Sequence, residues 1–352
     1  MKTSCSATTA QKVPKVALND GSGVTISPIL NGCWTLAGGH GTAVYQTIDA
    51  TLKAAAEAGF TTFDTADIYG PSEKILGNFQ QQWSAGGNPP VEILTKWVPN
   101  IFRERVTPAT AEAAVAKSLQ TLQVKSLDCV QLHWWDYAIP GMVEAALALT
   151  DLKGKGLIRS VGVTNMDVQA LQQLVDAGVP VAVNQVQFSL LDRRPLNGMV
   201  QYCQDKGIKL LTYGSVAGGL LSDRYVEEPR QGLFGKPKYS NIDLNTSSLK
   251  MYWNVVNRFG GQELYRKLLL VLRQVAEKHG CSVANIALRW VIDQGDGGVV
   301  HPIVGLRRPD HLQDNLKVLG LRLDDSDRAA IEESLQQTSG PTGDIYSFER
   351  GS

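Results

Sequence analysis

The chain has little of what marks several protein classes. It has five cysteines in 352 residues, Cys5, Cys33, Cys129, Cys203 and Cys281, with no CxxC pair and an odd count. That spacing excludes a disulfide framework and a thiolate zinc site, and it fits a reducing compartment. The five histidines, at 40, 133, 279, 301 and 311, show neither HxxEH nor HxH spacing, so no metal site is expected. There is no excess of either charge, with 34 basic residues against 34 acidic, which leaves no electrostatic footprint for nucleic acid or an anionic membrane. No apolar run approaches the ~20 residues that cross a bilayer. GxGxxG, GxSxG and GxxxxGK[ST] are also missing; the first candidate glycine-rich stretch reads GCWTLAGGHG, which argues against an open Rossmann-like sheet.

What is present is a core-sized hydrophobic fraction of 43% and a regular alternation of extended and helical patterns. KVALND and VTISPI flank GSG and predict an N-terminal hairpin. Eight strand-like runs follow, at Leu30–Trp34, Thr61–Asp64, Val91–Lys96, Leu127–His133, Ile158–Val163, Val181–Gln185, Lys209–Tyr213 and Val299–Val304. Between and after them, helical spacing covers Ala43–Ala58, Pro71–Phe79, Thr107–Leu122, Met142–Lys155, Asp167–Ala177, Leu196–Lys206, Glu263–His279 and Asp310–Leu319. Thr107-Pro108 reads as a hydroxyl cap followed by a first-turn proline. The pattern predicts an α/β chain with a (β/α)8 barrel, the hairpin closing its bottom. Residues 1–13 are expected to be a disordered tail, and 14–352 a single domain. The connection Leu220–Gly261 is long and polar, and its place in the order puts it over the C-terminal mouth.

Chemistry collects at the C-terminal ends of barrel strands. There stand Asp64 in FDTADIYG, Tyr69 just beyond it, Lys96 closing VEILTK and His133 closing LDCVQLH. Each has a bland reading: Asp64–Lys96 as a buried ion pair, His133 as a core histidine, Tyr69 as a rim residue. Together they describe one site. A Lys96 cation would favour the phenolate of Tyr69 and lower its pKa, Asp64 would keep Lys96 charged, and His133 would orient and polarise a carbonyl oxygen. Tyr69 could then protonate that oxygen as a hydride reaches its carbon. Trp34, Trp97 and Trp134, at or just after strand ends, are expected to wall an aromatic substrate pocket.

DTADIYG, LTKW, DCVQLHWWD, IRSVGVTN, VNQVQFSLLDRR and LTYGSVAGGLL, in this order from about Pro14 to Leu335, resemble the aldo-keto reductase superfamily. The resemblance implies a barrel that binds NADP(H) without a Rossmann domain and reduces aldehydes or ketones. It places Asp64, Tyr69, Lys96 and His133 in the catalytic tetrad. It implies that Thr164, Asn165 and Gln185 hold the nicotinamide carboxamide and that Tyr213 stacks on the ring. Gly214, Ser215 and the loop Val216–Leu220 would lie against the pyrophosphate, with Gly218 and Gly219 permitting close backbone approach. Gly305, Arg307 and Arg308 would form the 2′-phosphate site, since arginine pairs bidentately with phosphate and a helix start follows. Asp314 and Asn315 match adenine contacts, and His311 stands where the family often has arginine or glutamine. The turn GPSEKILG after Tyr69 is shorter than the GxGxSE form of many relatives.

These features predict an NADPH-dependent reductase of small carbonyl compounds, cytoplasmic, with no nucleic-acid or membrane partner. Three alternatives stand beside it: a cofactor-binding regulatory subunit, as the fold serves in potassium channels; a sugar or polyol dehydrogenase running the same residues in reverse; and organelle targeting by the hydroxyl-rich tail.

Overall fold

A computed structural model describes residues 13–38, 43–231, 237–305 and 310–350. Eight parallel strands close on themselves: β1 Leu30–Gly32, β2 Thr62–Asp64, β3 Glu92–Trp97, β4 Leu127–His133, β5 Ile158–Thr164, β6 Val181–Gln187, β7 Lys209–Tyr213 and β8 Val300–Gly305. β8 pairs with both β1 and β7, which shuts the barrel. The expected architecture is therefore present.

Period-2 alternation within the strands divides their side chains between the barrel lumen and the helix layer. Leu30, Leu94, Cys129, Val183 and Leu211 form a buried cluster together with Leu18, Val24 and Ile26 of the N-terminal hairpin. The hairpin pairs Val16 with Ile26 and Ala17 with Thr25, and its apolar side chains join that cluster. Val13, assigned from sequence to the disordered tail, is instead 5% exposed and packs into the main core beside Gly59. Residues 1–12 lie outside those described.

The helix layer comprises α1 Ala43–Glu57, α2 Ser72–Ala85, α3 Pro108–Leu122, α4 Met142–Gly154, α5 Val168–Asp176, α6 Met199–Lys206, α7 Ser247–Phe259, α8 Gln262–His279, α9 Val283–Ile292, α10 Asp310–Gly320 and α11 Asp325–Gln336. The Thr107-Pro108 start is realised: Thr107 Oγ1 accepts from Thr110 N at 3.3 Å, with proline in the first turn.

Three helices differ from the sequence expectation. The long segment after β7 contains α7, capped by Thr246, where an irregular connection was expected. α9 follows the Ser282 cap, which satisfies the amide of Asn285. α11 begins at the Asp324 cap. The remainder of the long segment is anchored by the buried Arg266, whose guanidinium bonds the carbonyls of Tyr225 and Ser240 and approaches Glu227 at 3.4 Å.

Candidate active site

Strand register assembles the site. β2 and β3 are neighbours, as are β3 and β4, so Asp64, Lys96 and His133 arrive from three adjacent strand ends. Tyr69 comes from the turn joining β2 to α2, held by Tyr69 N to Ala66 O and Ser72 N to Tyr69 O, each at 3.1 Å. Thr65 Oγ1 donates to Ser72 Oγ at 2.7 Å and ties the start of that turn to the first residue of α2.

Lys96 Nζ donates to Asp64 Oδ2 at 2.6 Å and to the Thr65 carbonyl at 2.9 Å. It lies 5.0 Å from the centre of the Tyr69 ring. Asp64 Oδ1 accepts from Gln131 Nε2 at 3.0 Å and Gln185 Nε2 at 2.7 Å, so both carboxylate oxygens are engaged. Space for Gln131 comes from Gly162 on β5. A Cβ there would stand 3.0 Å from Gln131 Cγ and 2.4 Å from Val183 Cγ2.

Burial tends to lower the Lys96 pKa, but Asp64 and Tyr69 together outweigh it and raise the value, so Lys96 stays charged. For Tyr69 the balance runs the other way. Burial raises its pKa more than Lys96 lowers it, and the net direction is upward. The sequence-based expectation of a lowered phenol is thus corrected: the lysine opposes a larger desolvation. The imidazole of His133 is pushed down to about 3 by burial, then by the cations of Lys96 and Arg350, and is neutral at physiological pH.

The residues assigned from sequence to the nicotinamide sit side by side on β5, β6 and β7. Thr164 pairs with His133 on one side and Gln185 on the other, and Gln187 pairs with Tyr213. Asn165 has φ of 58°, the left-handed region that asparagine tolerates better than most residues. Its Oδ1 accepts from the Tyr213 hydroxyl at 2.9 Å, and its Nδ2 lies 3.4 Å from His133 Nε2. Thr164 Oγ1 is buried with no partner among the described residues, and the amide hydrogens of Gln185 are taken by Asp64 and Gln131. An unsatisfied hydroxyl and a carbonyl oxygen left over on Gln185 suit a primary carboxamide, which both donates and accepts.

Several assignments are corrected. Trp97 and Trp134 do not wall the pocket. They are 6% and 1% exposed and belong to the main core, and the Trp134 indole donates to the Ile139 carbonyl at 3.1 Å. Each follows an inward-facing catalytic residue directly, so strand alternation turns it toward the helices. Trp34 is 37% exposed, in the short 3-10 turn after β1. Trp135, two positions beyond His133, takes the mouth position instead: the ring centres are 4.3 Å apart.

The glycines after β7 also have another use. A Cβ on Gly214 would stand 2.5 Å from the Tyr252 hydroxyl, and one on Gly218 would stand 2.8 Å from the same ring. They admit Tyr252 of α7 against this loop. Ser215 is bonded back to the Thr212 carbonyl at 3.1 Å, Val216 is half-buried, and Leu220 is fully buried. Gly305 ends β8, exposed. Asp314 accepts from Ser282 Oγ at 2.8 Å and Asn285 Nδ2 at 3.0 Å, tying α10 to the start of α9, and its side chain is 35% exposed. Asn315 is half-buried on α10. Arg307 and Arg308 lie outside the described residues, as does the side chain of His311.

Sequence reasoning missed four residues: Gln131, buried within β4 against Asp64, and Trp135, Tyr346 and Arg350 at the mouth. Tyr346 sits edge-on to His133 with ring centres 5.8 Å apart. Arg350 donates to the carbonyls of Trp135 at 3.0 Å and Asn165 at 2.9 Å. Alternation about His133 could have found both Gln131 and Trp135, two positions to either side of it. Nothing local in the sequence points to Tyr346 or Arg350. Among the described residues no helix is long and apolar enough to cross a membrane, and no group of three or more potential metal ligands occurs.

Comparison with known proteins gives one consistent result. The model of the Aldo/keto reductase family matches residues 28–336. The chloroplastic pyridoxal reductase of Arabidopsis thaliana is 30% identical over 334 residues, covering 90% of this chain and 85% of its own. The solved structure of a glycerol dehydrogenase of Gluconobacter oxydans superposes with a TM-score of 0.73 at 25% identity, covering 95% of this chain and 98% of its own. An aldo/keto reductase of Klebsiella pneumoniae, solved with NADP and acetate, gives 0.66 at 22% identity, covering 92% and 95%.

Proposed function

This chain belongs to the aldo/keto reductase family, and we propose that it reduces an aldehyde or ketone to the alcohol with NADPH, Tyr69 acting as the general acid. The observation that carries the reading is the Lys96 ammonium, fixed at 2.6 Å from Asp64 and set 5.0 Å from the centre of the Tyr69 ring. A buried phenol whose pKa is raised remains protonated at neutral pH, as an acid must be before it donates. The Lys96 charge then stabilises the phenolate as the proton leaves.

A reduced nicotinamide, when bound, supplies the hydride for the carbonyl carbon. The chain does the rest. Thr164, Asn165 and Gln185 would hold the carboxamide of that group and so orient its ring toward the substrate. Tyr213, its hydroxyl bonded to Asn165 Oδ1, would offer its ring for stacking. Neutral His133 offers an N–H to the carbonyl oxygen and shares the charge that develops there. Tyr69 gives that oxygen its proton and is reprotonated from solvent, so the oxygen leaves as a hydroxyl.

Support for the phosphorylated cofactor comes from Arg307 and Arg308 in the sequence and from the NADP bound to the Klebsiella pneumoniae relative. Replacing both arginines with alanine should raise the Kd for NADPH tenfold or more by fluorescence titration and leave that for NADH within about threefold, since each charge-assisted phosphate contact is worth about 1.5–3 kcal/mol. An equal effect on both cofactors would remove the argument for NADPH.

A further inference from the structure

Asp64, Gln131 and Gln185 come from β2, β4 and β6, alternate strands that share one layer of the barrel lumen. Gln131 and Gln185 stand two residues past Cys129 and Val183 of the apolar lumen cluster, so this polar layer rests on an apolar floor. All three residues are buried. Their polar atoms must therefore satisfy one another or a bound group. Register sets Gln131 opposite Lys96 on β3 and opposite Gly162 on β5, where the missing side chain leaves room for its stem.

The hydrogen bonds in this layer have a single consistent polarity. Gln185 Nε2 donates to Asp64 Oδ1 at 2.7 Å and to Gln131 Oε1 at 2.9 Å, and Gln131 Nε2 donates to the same Asp64 oxygen at 3.0 Å. Turning the Gln185 amide over would set its oxygen against both a carboxylate and an amide carbonyl. Turning Gln131 over would set oxygen against the carboxylate and one amide nitrogen against the other. The Asp64 charge, held by Lys96 through its other oxygen at 2.6 Å, thus fixes both amides. Asp64 claims one hydrogen of Gln185, and the Gln131 carbonyl withholds the second. What the Gln185 amide has left is an acceptor.

We propose that Gln131 is a positioning residue that sets cofactor-head specificity: by occupying the second Gln185 hydrogen it makes the site read the NH2 of a nicotinamide carboxamide, and it ties that reading to the carboxylate that holds Lys96. This rests on the reductase reading of the same site. Gln131 acts through Gln185 and Asp64. Without its carbonyl, Gln185 would keep one N–H on Asp64 and turn the other to the lumen, where a group that only accepts could take the carboxamide's place.

The test measures binding of NADPH and of its reduced 3-acetylpyridine analogue, whose acetyl group accepts but cannot donate, by quenching of protein fluorescence. The parent is compared with Gln131→Met, which keeps the length and loses both hydrogen-bonding atoms, and with Gln131→Glu. Protonated, the glutamate reproduces the native pattern, with its O–H on Asp64 and its carbonyl on Gln185. The parent should bind NADPH about tenfold or more tighter than the analogue, because rejecting the analogue leaves no acceptor unpaired. In Gln131→Met the ratio should fall to within about threefold, and in Gln131→Glu at about pH 5 it should return to about tenfold. A carboxyl beside the Asp64 carboxylate resists ionisation, so kcat of Gln131→Glu, on the best carbonyl of a panel, should drop about tenfold or more between about pH 5 and 8, where the parent is flat.

Equal weakening of both dinucleotides in Gln131→Met, a parent ratio below about threefold, or a pH-flat Gln131→Glu would overturn the proposal. Should Gln131→Met fail to fold, the binding ratio and pH step of Gln131→Glu decide alone. A parent that discriminates between the dinucleotides but reduces no carbonyl would contradict the reductase reading, while the binding ratios would still support the role of Gln131. A parent that binds neither would overturn both.

Discussion

Asp64 and Lys96 form a buried ion pair, 2.6 Å between Oδ2 and Nζ, in which the carboxylate's other oxygen is held by Gln131 and Gln185. Three donors, Lys96, Gln131 and Gln185, therefore hold the Asp64 carboxylate, and the lysine is fixed where it faces Tyr69. Asp64→Asn would present amide hydrogens to a set of donors and leave Lys96 charged without its counterion. Turnover is expected to fall at least a hundredfold, on the order of the loss when acid–base catalysis is removed. Breaking a buried pair from one side also costs about 3–5 kcal/mol of stability, to be read by urea denaturation. Parent-like turnover in the variant would show that Lys96 needs no carboxylate.

The pH dependence follows from His133 and Tyr69. His133 protonates only near pH 3 because burial, Lys96 and Arg350 all disfavour its cation. Tyr69 loses its proton only above the ordinary phenol value, burial having raised it. Reduction needs neutral His133 and protonated Tyr69, so log kcat should be flat from about pH 5 to 8 and decline on the alkaline side. A step centred near the ordinary histidine value would contradict a neutral, buried imidazole.

Gly162 connects barrel packing to the site. A methyl group there meets Val183 at 2.4 Å and Gln131 at 3.0 Å. Gly162→Ala should destabilise the barrel by about 1–3 kcal/mol, typical of overpacking, and push Gln131 off Asp64. Paired measurements of denaturation midpoint and turnover would show both falling. A loss of stability with full activity would separate Gln131 from the catalytic carboxylate.

Asn165 is the residue that Tyr213, His133 and Arg350 all contact. Asn165→Gly keeps the left-handed backbone accessible and removes only the side chain. The Kd for NADPH, from quenching of protein fluorescence, is expected to rise about tenfold, the effect of about 1.4 kcal/mol. Unchanged binding would show that the side chain serves only to position Tyr213.

Much of this was legible in the chain. Eight strands and their order follow from short apolar runs alternating with helical spacing, and Asp64, Lys96 and His133 declare themselves as polar residues ending such runs. Trp97 and Trp134 were misplaced although the signal was present: each directly follows an inward-facing residue, and period-2 alternation sends it to the helix layer. The C-terminal contacts at the mouth were not legible at all. Tyr346 and Arg350 lie in a short polar segment without periodicity, and Arg194 meets Glu349 across 155 residues of sequence. Helix α7 was hidden for a related reason: its polar surroundings read as a loop, and only Thr246 marks its start. Long-range ion pairs and the balance of burial against charge at Tyr69 are properties of the folded neighbourhood.

The proposed reaction turns on Tyr69, beside the Lys96 cation, as the proton donor in an NADPH-dependent carbonyl reduction. The most direct measurement follows loss of reduced-nicotinamide absorbance with purified parent and Tyr69→Phe across a panel of aldehydes and ketones, with NADPH affinity measured for both. Turnover is expected from the parent, with a fall of at least a hundredfold in the variant and NADPH binding within about threefold. Turnover retained by Tyr69→Phe would contradict the mechanism. Tight NADPH binding by a parent that reduces no carbonyl would contradict the enzymatic assignment and favour a cofactor-sensing subunit.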